Sequence, residues 1–186
     1  MYKSAFAEKP WDEYRKCVQC GANYGIEESG KIYASLETAL CRKCGNRLSG
    51  NFCEFWGSEE IRSDLESALK KESPLALVAE TDSIAGFTWG YRLPSGQFPF
   101  LEDRIAQPIV YMDEMAVGSS ERKKGIGLAL GNKFLSVVAA RGFRFSLLRT
   151  DVNNPASMGL FEKLGYKKLG IFDPDYPSRV YMEVRL

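Results

Sequence analysis

The stretch Ile109–Arg141, IVYMDEMAVGSSERKKGIGLALGNKFLSVVAAR, decides the fold. It opens with an apolar, partly β-branched run ending at Val117, the pattern of a buried strand. Gly118, Ser119 and Ser120 then offer a turn and possible helix caps. Ile126, Leu130, Phe134 and Val138 follow at helical spacing, and Gly142 is a natural stop. At the junction stands Arg122-Lys123-Lys124-Gly125-Ile126-Gly127, a basic, glycine-containing loop that opens a helix. Glycine lets a phosphate approach the backbone, the helix N-terminus offers unpaired N–H donors, and its dipole favours anions. Neither a P-loop, which needs a longer gap and Gly-Lys-Ser/Thr, nor the three-glycine dinucleotide fingerprint is present.

Composition narrows the chemistry. The length suits one ordinary domain with a small appendage. A net charge of +1 argues against a general nucleic-acid or membrane-surface binder. No run is long and apolar enough for a membrane span, and the N-terminus lacks signal-peptide anatomy, so a cytoplasmic protein is expected. There is no histidine. Ser-His-Asp and Cys-His catalysis and mixed Cys/His metal sites are therefore excluded, which leaves Asp, Glu, an unprotonated Lys or Cys, or a relayed water as general base.

Cys17-x-x-Cys20 and Cys41-x-x-Cys44, each followed by glycine, have the spacing of a four-cysteine zinc ribbon or knuckle. Two disulfides or a redox dithiol are the competing readings. A reducing compartment disfavours the first, and paired glycine-ended knuckles the second. Four thiolates leave no open position, so the zinc would be structural and would supply folding free energy to a short segment. Cys53 is the odd cysteine and reads as buried core. Residues 21–40 carry no basic stripe, although Arg42, Lys43 and Arg47 cluster at the second knuckle. A brace or protein-contact module is the first reading, nucleic-acid binding the second.

From Ser58 a helix is signposted by a cap, by Glu59 and Glu60, and by Ile61, Leu65 and Leu69 on one face. Residues 75–93 read as two strands joined at Thr81-Asp82-Ser83. Pro94–Pro108, with three prolines, is a long loop whose Phe98, Phe100 and Leu101 suit folding over a pocket. Residues 143–152 form a strand, 154–165 a short helix ended by Gly165, and 179–186 a closing strand.

The strand and the loop Arg122–Gly127 resemble motif A of the GNAT superfamily of N-acetyltransferases, R/Q-x-x-G-x-G/A. Asn154 to Tyr166 resembles its motif B, N-x-x-A-x-x-L-Y-E-K-L-G-F, with Ser157 in the small-residue place. The resemblance covers roughly residues 55–186, leaving 1–54 as the zinc-binding segment. It also matches a subgroup that carries four cysteines near the N-terminus. It implies an α+β fold, a mixed and mostly antiparallel sheet flanked by helices, and acetyl-CoA as cosubstrate. It further implies that Arg122, Lys123, Lys124, Gly125, Ile126 and Gly127 hold the pyrophosphate. The main chain of Met115, Ala116 and Val117 would meet pantetheine and polarise the thioester, and Asn154, Ser157 and Phe161 would line the coenzyme.

Glu114 and Asp113 stand where the superfamily often keeps its catalytic carboxylates. Strand alternation allows only one of them into the cleft, and Glu114 ranks first. Phe161 departs from the family's usual tyrosine, the proton donor to the departing thiolate. Ser157, Tyr111 and Tyr176 are possible substitutes. The implied acceptor is a small-molecule amine, a protein lysine or a protein N-terminus. An acyl-CoA sensor with weakened catalysis and a zinc-ribbon nucleic-acid or protein binder are the alternatives.

Overall fold

The computed structural model describes all residues from 1 to 186. The chain forms two compact units, Met1–Ser63 and Asp64–Leu186.

In the first unit a short helix α1 (Tyr2–Ala5) precedes strands β1 (Arg15–Cys17) and β2 (Asn23–Tyr24), helix α2 (Ile26–Tyr33) and strand β3 (Phe52–Glu54). The strands make a small antiparallel sheet in the order β2-β1-β3. The buried cluster packed with it is Cys17, Ala22, Tyr24, Cys41 and Leu48, and Tyr2, Phe6 and Ala7 are buried elsewhere in the unit. The sequence reading missed these strands because none is longer than three residues, too short to show a period. Cys53, expected in the core, is only half-buried on β3.

Helix α3 (Ser58–Leu69) follows. Its cap is Gly57 rather than Ser58. The Glu60 carboxylate reaches back to accept the Gly57 N–H at 2.7 Å, one half of a capping box. Leu69, expected on the buried face, is exposed, and Ala68 is buried in its place.

The second unit is built on a six-stranded sheet of β4 (Leu75–Glu80), β5 (Ile84–Arg92), β6 (Val110–Val117), β7 (Phe145–Asp151), β8 (Lys167–Phe172) and β9 (Arg179–Arg185). The order is β4-β5-β6-β7-β9-β8. Every pairing is antiparallel except β6 with β7. β8 went unrecognised in the sequence because its glycine and two lysines hide the alternation of an edge strand. Helices α4 (Ile126–Ala140) and α5 (Pro155–Lys163) cover one sheet face. Phe134, Val138 and Phe161 there pack with Met112, Leu148 and Met182. Cross-strand partners share a face, so Tyr91 and Tyr111, and Arg149 with Tyr181, lie on the other. Pro94–Pro108 folds over that second face. Phe98 meets Tyr111 and Tyr181 edge-on, each at 5.3 Å, and Leu101 is fully buried.

Gly90, opposite Met112 on β5, sets how closely these strands and α4 pack. A Cβ there would lie 2.2 Å from the Tyr111 carbonyl oxygen and 2.7 Å from the Phe134 ring. Neither neighbour can yield cheaply, since one is backbone and the other the centre of the core. Gly90→Ala is expected to cost about 3 kcal/mol or more. Gly159, helical and with open space at its Cβ position, is the control. Gly159→Ala should stabilise by about 0.5–1 kcal/mol. Denaturant midpoints of the two variants check both signs.

Candidate active site and metal centre

β6 pairs with β7 only over Val110–Met112. Beyond Met112 the two strands part, because β6 there stays with β5 and carries a bulge. Trp89 faces Glu114 and Gly90 faces Met112, so Asp113 is the extra residue. The bulge overturns the expectation that only one of the two carboxylates can point into the cleft. An inserted residue suspends strand alternation, and Asp113 and Glu114 both come to the face of Trp89, Tyr91 and Tyr111.

Past the bulge, alternation resumes. Gly118 donates its N–H to the Ala85 carbonyl at 2.9 Å. Counting back along the antiparallel ladder, Ala116 and Glu114 turn their main-chain groups to β5, whereas Met115 and Val117 turn theirs into the cleft. No strand pairs with that edge. An N–H held there is aimed at whatever carbonyl enters the cleft, the geometry of an oxyanion hole.

The cleft ends at the start of α4. Ser119–Glu121 form a single 3-10 turn instead of capping the helix, and the N-cap is Gly125, which supplies no side-chain cap. Ala129 is the first residue to bond back, to Gly125, so the N–H groups of Gly125, Ile126, Gly127 and Leu128 have no intrahelical acceptor. Both Lys123 and Gly125 are left-handed, with φ of 65° and 85°, which folds the loop into a concave run of backbone donors. Arg122 Nε donates to the Val117 carbonyl at 3.4 Å, and Lys124 pairs with Glu121 at 3.1 Å. Lys123 is exposed on the loop.

Gly127 turns out to have a packing role. Its Cβ would lie 3.1 Å from Leu160, and one turn later a Cβ on Gly131 would lie 2.3 Å from Leu164. The two glycines let α5 rest against α4. Their G-x-x-x-G spacing was the available signal.

On α5, Asn154 is the cap, its side-chain oxygen accepting the Ser157 N–H at 3.0 Å. Ser157 is half-buried one turn before Phe161. Phe161 is buried in the core, with its ring edge-on to Tyr166. Of the other hydroxyls, Tyr111 is buried beneath Phe98, and Tyr176 is exposed with Arg179 over its ring.

Around Asp113 stand groups the sequence reading did not single out. Burial pushes its carboxyl above the ordinary aspartate value, against the pull of the Lys71 charge, the Tyr91 hydroxyl and the Trp89 indole N–H. Gln97 in turn donates to the Tyr91 hydroxyl at 3.2 Å. Trp89 and Tyr91 are two apart on one strand, which is the signal that would have placed them together.

In the first unit the sulfurs of Cys17, Cys20, Cys41 and Cys44 lie within 4.8 Å of one another. Tetrahedral zinc with Zn–S bonds of about 2.3 Å separates its sulfurs by about 3.8 Å. The Cys17–Cys44 and Cys20–Cys41 distances are 3.9 and 3.5 Å, close to that value and far beyond a disulfide bond. The Tyr24 hydroxyl donates to Cys41 Sγ at 3.1 Å, and the Lys43 N–H at 3.4 Å. Burial raises the Cys41 pKa, but these donors outweigh it and bring it down to about 6. Two of the three basic residues of the second knuckle, though exposed, make contacts within the unit. Arg42 binds Glu28 and lies on the Tyr24 ring, and Lys43 reaches the Cys20 carbonyl.

The family model for acetyltransferases of the GNAT family matches residues 41–166. No curated protein sequence matches the chain. Among solved structures, a Bacillus subtilis acetyltransferase in complex with CoA aligns with a TM-score of 0.51 at 17% identity, over 69% of this chain and 84% of its own. An aminoglycoside 6'-N-acetyltransferase complexed with coenzyme A gives 0.52 at 21% identity, over 70% and 81%. The ribosomal-protein-S18-alanine N-acetyltransferase from Escherichia coli gives 0.50 at 17% identity, over 70% and 77%. No helix is long and apolar enough to cross a membrane.

Proposed function

Because the chain belongs to the GNAT family of acetyltransferases, we propose that it is an acetyl-CoA-dependent N-acetyltransferase in which a primary amine attacks the thioester directly. The observation that carries this reading is the parting of β6 from β7 after Met112, which opens a cleft leading to the uncapped start of α4.

Pyrophosphate would lie on the N–H groups of Gly125, Ile126 and Gly127, with Arg122, Lys123 and Lys124 supplying charge. The pantetheine arm would run along β6, bonded to the main chain of Met115 and Val117 but not of Ala116, whose groups are turned to β5, with Asn154, Ser157 and Phe161 on the α5 side. The thioester carbonyl would then meet the Met115 N–H, which stabilises the oxyanion as the amine adds. An alkylammonium must first lose a proton. Asp113 and Glu114 stand on the face from which the amine would approach, and Asp113, already raised by burial, is the better matched acceptor. The nitrogen then attacks the carbonyl carbon, the C–S bond breaks, and coenzyme A leaves as a thiolate. A thiol of pKa near ~8.5 can leave without a dedicated acid, so Phe161 does not bar the step.

The acceptor is a small-molecule amine or a protein amine. The solved relatives include an aminoglycoside 6'-N-acetyltransferase and one acting on a ribosomal-protein alanine. Four thiolates on one zinc suit a reducing, cytoplasmic setting.

Lys123→Glu tests the coenzyme site without adding backbone strain, because the left-handed position 123 already bears a side chain. Calorimetry should show coenzyme A binding weakened about ten- to a hundredfold, with the melting temperature unchanged. Equal affinity in the variant would remove the loop from the site. A second reading, an acyl-CoA sensor, is favoured by the burial of Phe161 in the core. Thioester cleavage with a panel of amines would reject it, and tight binding without cleavage would favour it.

A further inference from the structure

The molecule holds an amine of its own beside the carboxylates of the cleft. Lys71 is the second residue after α3, and the chain there is tied down on both sides. The Lys71 N–H bonds to Ala68, and Arg92 on β5 donates its N–H to Glu72 at 2.9 Å. The side chain crosses onto the aromatic sheet face. Its Nζ sits 3.7 Å from the centre of the Tyr91 ring and 3.4 Å from the Gln97 side-chain oxygen. The hydroxyl of that same ring faces the Asp113 carboxyl. Amine and carboxyl are thus held about one tyrosine ring apart, on the face from which an acceptor would approach.

We propose that the protein acetylates itself at Lys71. The inference rests on the acetyltransferase reading above and adds a substrate amine to it. Surface lysines are poorer candidates. Lys31 and Lys124, for example, are tied to Glu27 and Glu121. Lys31 is held above the ordinary lysine value by that hydrogen bond, whereas burial holds Lys71 below it. A larger share of Lys71 is therefore the neutral nucleophile at a given pH.

One proton passes from the Lys71 ammonium through a water to Asp113, since the two lie beyond direct hydrogen-bond reach, and the freed Nζ lone pair attacks the acetyl carbonyl carbon. The C–N bond forms, the C–S bond breaks, and coenzyme A leaves as a thiolate. The second nitrogen proton, shed as the amide forms, passes to the thiolate or to water. Acetylation removes the cation from the Tyr91 face and from beside Asp113, leaving that carboxyl harder to ionise.

Purified full-length protein should be incubated with acetyl-CoA and followed by intact mass and peptide mapping across a dilution series. Coenzyme A calorimetry is run on the same samples. The expected result is one acetyl group per chain, on Lys71, at a rate per chain independent of protein concentration. It should form at least about tenfold faster than on any exposed lysine, the signature of an intramolecular reaction. Lys71→Arg should abolish it, and Asp113→Asn should slow it while coenzyme A still binds. Protein that binds coenzyme A but leaves Lys71 unmodified, or modifies it no faster than exposed lysines, overturns the inference alone. Protein that does not bind coenzyme A overturns the acetyltransferase reading and this inference with it.

Discussion

Asp113→Asn should lower turnover of an external amine by about two to four orders of magnitude, the usual contribution of a positioned general base. Coenzyme A affinity should stay within a few-fold, because the pyrophosphate loop and the Met115 and Val117 main chain are untouched. The same substitution should raise stability at neutral pH. Burial lifts the folded-state pKa of Asp113 above its unfolded value. A group shifted upward contributes stability that is full below the unfolded pKa and is lost as pH rises through the folded one. At neutral pH the ionised carboxyl is therefore a cost to the fold, and asparagine removes it. Activity runs the other way. It falls as pH drops through the raised Asp113 value, so the acid limb of the rate profile should lie above the ordinary aspartate range. Turnover, KM and denaturant midpoints of Asp113→Asn and Glu114→Gln separate the two carboxylates. If Asp113→Asn keeps turnover within a few-fold and Glu114→Gln does not, the base is Glu114.

The difference between these carboxylates could not be read from the sequence, and the reason is specific. Alternation along Ile109–Val117 assigns faces correctly only while the ladder is regular. A bulge depends on the partner strand as much as on its own residues. Gly90 on β5, some twenty residues earlier, is what allows the close approach at Met112. Long-period features were readable for the opposite reason. The stripe Ile126, Leu130, Phe134 and Val138 repeats for four turns, and the structure buries its last three members. The hairpin 75–93, the strand 143–152 and the capped helix after Asn154 were legible for the same reason, each being bounded by turn residues. Tertiary roles escaped. Gly127 reads as a phosphate glycine until Leu160 is seen against it, and Lys71 reads as a helix-end cation until its chain is seen on Tyr91. Spacing alone pointed to the cluster of four cysteines, but not to Tyr24, the donor to Cys41, because nothing in a lone aromatic announces a sulfur partner.

Cys41→Ser should remove the bound metal and unfold the Met1–Ser63 unit. That unit buries eight apolar residues, only five of them around the cysteines, and has strands of two or three residues, too little apolar burial to offset the entropy of ordering the chain. A structural tetrathiolate zinc supplies an apparent ~10–16 kcal/mol at neutral pH. That is comparable to the whole stability of an ordinary domain, roughly 5–15 kcal/mol. Losing one ligand should therefore be read as loss of amide protection at Tyr24 and Phe52 and loss of one zinc per chain. Coenzyme A binding should survive within a few-fold, because the cleft, the loop and α4 all belong to Asp64–Leu186. Two milder variants grade the effect. Tyr24→Phe keeps all four sulfurs but loses the hydroxyl at 3.1 Å from Cys41, and should weaken zinc about tenfold. Cys53→Ser alters a half-buried thiol outside the cluster and should change neither zinc content nor folding. A folded, protected first unit in metal-free Cys41→Ser protein would mean that the four cysteines are packing residues. A core this small can be held by a point of strong bonding, and the four sulfurs, all within 4.8 Å of one another, are close enough to share one ion.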